Sequence, residues 1–340
     1  MRGRDLLSIA DLSPDELSHV LDTARALKGA LREGGGEGLS EAVRSAQGDS
    51  GAAQGDSRRL LAGKTLALLF EKPSLRTRVS FDVGMRQLGG DCVYVSPAEV
   101  GLGTREPVED VARVLSRYVD CIAARTFAQE TVEQLARWAD VPVINALSEG
   151  EHPCQALADL LTILEHKGRL GGVSLTYIGD GNNVARSLCL GAGMMGMEFR
   201  IASPPAYDLD ETTVSRAEEF ARVSGGSIEL LHEPAEAAKG ADVVYTDVWT
   251  SMGQEEEAAR RREAFSGYQV DAELMSLAKP EAIFMHDLPA HRGEEVSAEV
   301  FEGPQSVVFD QAENRLHAQK AALALILQQD SGEAQGEESG

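Results

Sequence analysis

The strongest constraint on the fold of this chain is a rhythm. Short apolar runs rich in strand-forming residues occur at 65–71 (TLALLFE), 91–96, 121–125 and 141–146, and helical patterns separate them. The rhythm restarts at 174–180 (SLTYIGD) and continues through 198–203, 227–231, 243–248, 282–288 and 306–311. Apolar strands alternating with amphipathic helices make parallel sheets covered on both faces. Two such series predict an α/β architecture of two doubly wound parallel-sheet domains of similar size, linked by helices. The first domain is expected at 1–150 and the second at 151–314, joined near the helix that begins around His152. A C-terminal helix at about 315–329 is expected to pack back on the first domain. The length, 340 residues, agrees with two domains of ~150 residues each. In such sheets ligands bind beyond the carboxyl ends of the strands, so the polar residues just after each strand are the ones to inspect.

Other segments fall outside the rhythm. Ser13-Pro14-Asp15-Glu16 is a capping box with proline at the first helical position, which predicts a helix of about 15 residues. Residues 33–58 hold Gly-Gly-Gly and a near-duplicate, AQGDS at 46–50 and again at 53–57; they are expected to be a flexible surface insertion. The acidic, Gly- and Ser-containing tail at 330–340 is expected to fray.

Composition removes several function classes. Apolar residues make up 43 % of the chain, enough for a real core. With 55 acidic and 32 basic residues the net charge is −23, a surface that repels phosphate backbones, so no nucleic-acid partner is expected. The basic residues divide into seven lysines and 25 arginines, compatible with a high-salt habitat or with an ordinary acidic cytoplasmic protein. No uncharged stretch approaches the ~18 residues of a membrane span, and the first residues lack an apolar signal-like core. Cys92, Cys121, Cys154 and Cys189 lie far apart with no CxxC pair, which suggests neither a zinc site nor a disulfide framework. A reducing, cytoplasmic setting is expected.

The strand ends carry the chemistry. After the first strand comes Glu71-Lys-Pro-Ser-Leu-Arg-Thr-Arg78, running into a helix. Ser74 would sit near the N-cap with Arg76, Thr77 and Arg78 in the first turn, where exposed N–H groups, hydroxyls and guanidinium groups suit a phosphate. The alternative is a helix start whose arginines pair with surface carboxylates, but basic residues there oppose the helix dipole. Arg125 ends the third strand and can reach the same anion. His152 and Gln155, three apart, share a helix face. Gly179-Asp-Gly-Asn-Asn183 invites a dinucleotide reading, yet the third glycine of GxGxxG is missing. Met194, Met195 and Met197 read as helix packing, and Cys154 and Cys189 as buried thiols. His286 and His291 lack metal-ligand partners at suitable spacing, so no metal is expected.

Together these segments resemble the aspartate and ornithine carbamoyltransferase family over nearly the whole chain apart from the insertion and tail. Ser74-Leu-Arg-Thr-Arg78 is similar to its S-T-R-T-R carbamoyl-phosphate signature, and His152-Pro-Cys-Gln155 to its H-P-x-Q motif. Asp247-Val-Trp-Thr-Ser-Met-Gly253 resembles the amino-acid-binding loop of the ornithine branch. His286-Asp-Leu-Pro-Ala-His-Arg-Gly-Glu-Glu295 is close to that branch's H-C-L-P-A-H-R-G-x-E, and Glu313-Asn-Arg-Leu-His-Ala-Gln-Lys320 to its final helix. The resemblance implies carbamoyl transfer from carbamoyl phosphate to the δ-amine of L-ornithine, giving citrulline and phosphate with no cofactor. It implies that Ser74, the Leu75 N–H, Arg76, Thr77 and Arg125 hold the phosphate. His152, Gln155 and Arg315 would act on the carbamoyl group. Asn183, Asp247, Ser251 and Met252 would hold ornithine, and Asp287 and Leu288 would lie at the reacting centre, with Asp287, Arg76, His152 and Arg315 as its catalytic set. A homotrimer, or a multiple of trimers, with sites between subunits is implied as well.

Three positions depart from the family pattern. Leu75 stands for the usual threonine, which matters least if the backbone N–H is what binds. Gly101 falls where the ornithine branch has glutamine, in a loop that reaches a neighbouring subunit's phosphate site. Asp287 takes the place of the reactive-loop cysteine; a thiol is neutral near pH 7, whereas an aspartate there is a carboxylate. These departures leave two alternatives open: carbamoyl transfer to another amine (putrescine, lysine or an acylated ornithine), or an inactive paralogue acting as a binding or assembly subunit.

Overall fold

The computed structural model describes residues 1–32, 60–103, 105–250, 253 and 255–327. The expected insertion at 33–58, the tail at 330–340, and Ser251 and Met252 lie outside the described residues.

Among the described residues, nine strands form two parallel sheets. The first is ordered β2-β1-β3-β4, from β1 (Thr65–Phe70), β2 (Asp91–Val95), β3 (Cys121–Arg125) and β4 (Val143–Leu147). The second is ordered β7-β6-β5-β8-β9, from β5 (Ser174–Ile178), β6 (Glu198–Ala202), β7 (Ser227–Leu231), β8 (Val243–Thr246) and β9 (Ile283–Met285). The central strands are buried on both faces, as near-continuous apolar runs require. β1 sits between β2 and β3, pairing Leu66 with both Cys92 and Cys121. The α/β reading of two doubly wound parallel sheets therefore holds. Cys154 and Cys189 are buried, as read from the sequence.

One strand expectation fails. Residues 306–311 contribute only an isolated bridge from Ser306 to Phe284, and the chain then enters the helix Val308–Leu327. The run Val307-Val308-Phe309 looks like a strand, but buried Val308, Gln311, Asn314, Arg315 and Ala318 recur at helical spacing. This helix is buried along most of its length against the helices Pro14–Arg32, Leu75–Gln87 and Pro153–Lys167. Pro14–Arg32 is longer than expected and begins with the capping box: Glu16 N–H donates to Ser13 Oγ and Ser13 N–H to Glu16 Oε2.

Each sheet reverses its strand order once, between β1 and β3 and between β5 and β8. Those reversals open crevices at the carboxyl ends of the strands. β1 leads to Lys72–Thr77, β3 ends at Arg125, β5 leads to 179–183, β8 to Asp247 and β9 to 286–288. Two parallel sheets thus direct five strand ends at one region.

Candidate active site

A cleft of about 1340 Å³ opens there. Ser74, Leu75, Arg76, Thr77, Arg125, His152, Asn183, Asp247, Asp287, Leu288 and Arg315 all line it. Gln155 does not; it lies behind Arg315, whose Nη1 donates to its Oε1. Arg78 also departs from the expected convergence of guanidinium groups, because it stacks on Tyr94, 3.8 Å from the ring centroid.

The basic end of the cleft is a helix start. Ser74 N-caps the helix Leu75–Gln87, its Oγ accepting the Thr77 N–H at 3.3 Å. Arg76 Nη2 donates to the Leu288 carbonyl at 2.9 Å, tying the β1 loop to the β9 loop. Arg315 Nη2 donates to Thr77 Oγ1 at 2.9 Å. Arg315 is 4 % exposed, and its partners are amide and hydroxyl oxygens, not the surface carboxylate that an ordinary ion pair would supply. Leu288 has φ +65°, a left-handed conformation costly for a branched residue, and it presents its carbonyl to Arg76.

Sequence reasoning passed over Lys72, which lines the cleft and is 8 % exposed. Its Nζ lies 4.9 Å from the Phe127 ring centroid, and no carboxylate pairs with it among the described residues. Burial, then the neighbouring Arg125, pulls the ammonium down to about 8. A lysine two residues before a helix reads as solvated until β3 and Phe127 close over it. Burial lowers Arg125 as well, to about 10, reinforced by Arg315. His152 is held well below the ordinary histidine range by burial and by Arg315, Arg125 and Lys72, so its ring is neutral at pH 7.

The other end is acidic. One carboxylate oxygen each from Asp247 and Asp287 and a ring nitrogen of His286 lie within 4.8 Å of one another. Asp247 takes a hydrogen bond from Asn182 Nδ2 at 2.7 Å and one from the Val248 N–H at 2.6 Å. Burial and the charge of Asp287 hold the Asp247 carboxyl well above the usual range. Burial pushes Asp287 up too, but its hydrogen bond to His286 and that imidazolium's charge hold it below the usual range. Their closeness therefore favours the charged form at Asp287 and the protonated form at Asp247. Burial pulls His286 down, yet hydrogen bonds with Asp287 and Glu295 hold it up at about 9. By spacing alone His286 and His291 lack metal-ligand partners; the fold brings carboxylates to both, placing Glu295 at 3.2 Å from His286 Nε2. A second group, His291, Glu294 and Glu295, gathers nearby. His286 Nε2 faces Glu295 at 3.2 Å, and Nδ1 lies 3.0 Å from the Leu288 nitrogen and 3.5 Å from Asp287 Oδ1, so both ring nitrogens already face groups of the protein.

The glycine-rich loop at 179–183 serves the chain's own backbone. A Cβ at Gly181 would lie 2.5 Å from the Asp208 carbonyl carbon, so the glycine makes room for a neighbouring segment. Asn183 Nδ2 donates to the Ser148 carbonyl at 2.6 Å, joining the second sheet to the loop after β4.

Among the described residues, three buried polar atoms of this cleft have no partner, Arg125 Nε, His152 Nδ1 and Arg315 Nε, and Asp287 Oδ1 has only His286 Nδ1, at 3.5 Å. Buried polar groups are nearly always paired, so orphans gathered around one cavity mark atoms that a ligand completes. Fold and cleft together define an α/β enzyme that holds an anionic small molecule between two parallel sheets. Residues 4–165 match the family model for the carbamoyl-phosphate-binding domain of aspartate/ornithine carbamoyltransferases, and residues 171–326 match that for the Asp/Orn-binding domain. The chain belongs to the aspartate/ornithine carbamoyltransferase family. It is 51 % identical to an ornithine carbamoyltransferase of Pyrococcus abyssi over 96 % of both chains. It is 52 % identical to one of Symbiobacterium thermophilum over 96 % of this chain and 99 % of that one. The solved ornithine carbamoyltransferase of Pyrococcus furiosus superposes with a TM-score of 0.88 at 50 % identity, over 96 % of this chain and 97 % of that one.

Proposed function

We infer that this chain transfers the carbamoyl group of carbamoyl phosphate to the δ-amine of L-ornithine, giving L-citrulline and phosphate. The observation that carries this reading is the set of unpartnered atoms on Arg125, His152 and Arg315, arranged with the Asp287 carboxylate around one cleft in the family's order of motifs.

In this reading Ser74, the Leu75 N–H, Arg76, Thr77 and Arg125 hold the phosphate. Neutral His152 and Arg315 donate to the carbamoyl oxygen as it gains negative charge. Gln155, once Arg315 turns to that oxygen, faces the carbamoyl NH₂. Asp247, Asn183, Ser251 and Met252 hold the α-amino and carboxylate groups of ornithine, and Asp287 and the Leu288 carbonyl face the δ-amine. The neutral δ-nitrogen attacks the carbonyl carbon and forms the C–N bond. The C–O bond to phosphate then breaks, and the departing phosphate accepts the amine proton. No step calls for a metal or organic cofactor. Holding both substrates in one cleft supplies most of the acceleration through proximity and a preorganised oxyanion site.

A trimer fits the same reading. Leu75 is 76 % exposed, Val79 follows one turn later at 49 %, and Val93 on the edge strand β2 is 50 % exposed, an apolar surface suited to another copy of the chain. Assembly through this face would bring the loop around Gly101 toward a neighbouring cleft. A cytoplasmic site of action is consistent with this substrate pair, and no described helix is long and apolar enough to cross a membrane.

Purified protein given carbamoyl phosphate and, in parallel, ornithine, putrescine, lysine or an acylated ornithine should form product with ornithine at a kcat/KM at least tenfold above the others. Faster transfer to another amine would reassign the acceptor. Carbamoyl-phosphate binding with no transfer to any amine would make the chain an inactive paralogue.

A further inference from the structure

Asp159 is fully buried on the helix Pro153–Lys167, one turn beyond Gln155. No cation pairs with it among the described residues. Burial pushes its carboxyl up to about 7, against neutral donors that favour the charged form: Gln155 Nε2 at 2.8 Å and Gln311 Nε2 at 2.7 Å on Oδ1, and the Tyr245 hydroxyl at 3.2 Å on Oδ2. A buried carboxylate without a cation is costly, so its presence calls for a reason in what it holds.

Every one of its donors belongs to a segment that carries a cleft group. Tyr245 lies two residues before Asp247. Gln311 lies one turn before Arg315, and its Oε1 accepts the His286 N–H at 2.9 Å, next to Asp287. Gln155 passes the contact on to Arg315. The Gln155 amide stands between Asp159 Oδ1, which accepts from the amides of Gln155 and Gln311, and a guanidinium, which only donates. A single orientation satisfies both, with the NH₂ on Asp159 and the oxygen toward Arg315.

We propose that Asp159 is the positioning residue of this cleft: through the Gln155 amide it sets where the Arg315 guanidinium stands and keeps the Gln155 oxygen turned to the substrate side. When Arg315 leaves Gln155 for a carbonyl oxygen, the bond from Gln155 to Asp159 remains and prevents the amide from turning over. The inference rests on the carbamoyl-transfer reading, which gives Arg315 and Gln155 the carbamoyl end of the donor. The phosphate end belongs to Ser74, the Leu75 N–H, Arg76, Thr77 and Arg125, none of which bonds to Asp159 or Gln155; Arg315 touches that end at Thr77 Oγ1 alone.

Two ligands separate the two ends. Binding of carbamoyl phosphate and of inorganic phosphate is measured by calorimetry on the full chain, as wild type, Asp159→Leu and Asp159→Asn. Asp159→Leu should weaken carbamoyl phosphate by about tenfold or more while inorganic phosphate stays within about threefold. Asp159→Asn keeps an acceptor oxygen for Gln155 and should restore carbamoyl-phosphate binding to within about threefold of wild type. Parallel weakening of both ligands, or unchanged carbamoyl-phosphate binding in Asp159→Leu, overturns the proposal. Should Asp159→Leu not fold, Asp159→Ser, whose short hydroxyl falls short of Gln155, takes its place with the same expected split. Wild-type protein that binds inorganic phosphate but shows no tighter hold on carbamoyl phosphate also overturns it. Wild-type protein that binds both yet forms no citrulline sinks instead the reading on which the proposal rests.

Discussion

Replacing Arg315 by leucine should lower citrulline formation by roughly 10²–10³-fold in kcat, the cost of deleting one preorganised donor to a developing oxyanion. The loss in stability should be small beside it. The substitution strands Thr77 Oγ1 and the Gln155 oxygen, each worth ~1–3 kcal/mol if left buried without a donor. It also removes a cation from a crowd, because burial and the neighbouring Arg76 already depress the Arg315 guanidinium. These effects oppose each other, so the thermal midpoint should shift by only a few degrees. Initial rates and a melting curve on the same preparation test this. Turnover within tenfold of wild type would remove Arg315 from the reacting centre.

The second large effect concerns Asp287 and has a definite sign. The Asp287 carboxylate stays ionised beside His286 and faces the expected place of the δ-amine. An opposite charge stabilises an ammonium, so the amine's pKa in the bound complex is raised and the reactive neutral form is scarcer at neutral pH. Asp287→Cys replaces the charge with a neutral thiol, and the rising limb of the pH–rate profile should move down by up to about one unit. Near pH 7 the variant should therefore be faster, by up to about tenfold. The His286 imidazolium offsets part of the carboxylate's field, which keeps the shift to the order of one unit. If Asp287 worked as a general base, the same substitution would instead slow turnover by 10²–10⁴-fold. The two accounts thus predict opposite signs, and a pH–rate profile of both proteins separates them.

The strands were legible because each buried run is bounded by turn residues: β3 and β7 match their expected bounds, and most others end within two residues. Residues 306–311 misled because Val307, Val308 and Phe309 have strand propensity, and only packing of the whole helix Val308–Leu327 against three others decides the period. Arg76, Arg125 and His152 could be picked out because each follows or ends a strand that opens on the crevice, whereas Arg315, inside the helix Val308–Leu327, was legible only through the resemblance of its motif. Lys72 and Asp159 could not. Their charges look solvent-directed in one dimension, and what makes them unusual is burial supplied by segments more than 50 residues away: Phe127 over Lys72, and Tyr245 and Gln311 over Asp159. The network of Asp287, His286 and Glu295 was likewise hidden, since the loop must fold back before Glu295 reaches His286.

The central claim is that this cleft moves a carbamoyl group from phosphate to ornithine. The most direct measurement follows carbonyl-¹³C-labelled carbamoyl phosphate by NMR in the presence of enzyme and ornithine, with inorganic phosphate quantified in parallel. The account predicts that the label appears in the ureido carbon of citrulline, with one phosphate released per citrulline and neither product formed above background when ornithine is omitted. Enzyme-dependent phosphate release without labelled citrulline, or label in any other amine when ornithine is present at equal concentration, would contradict it.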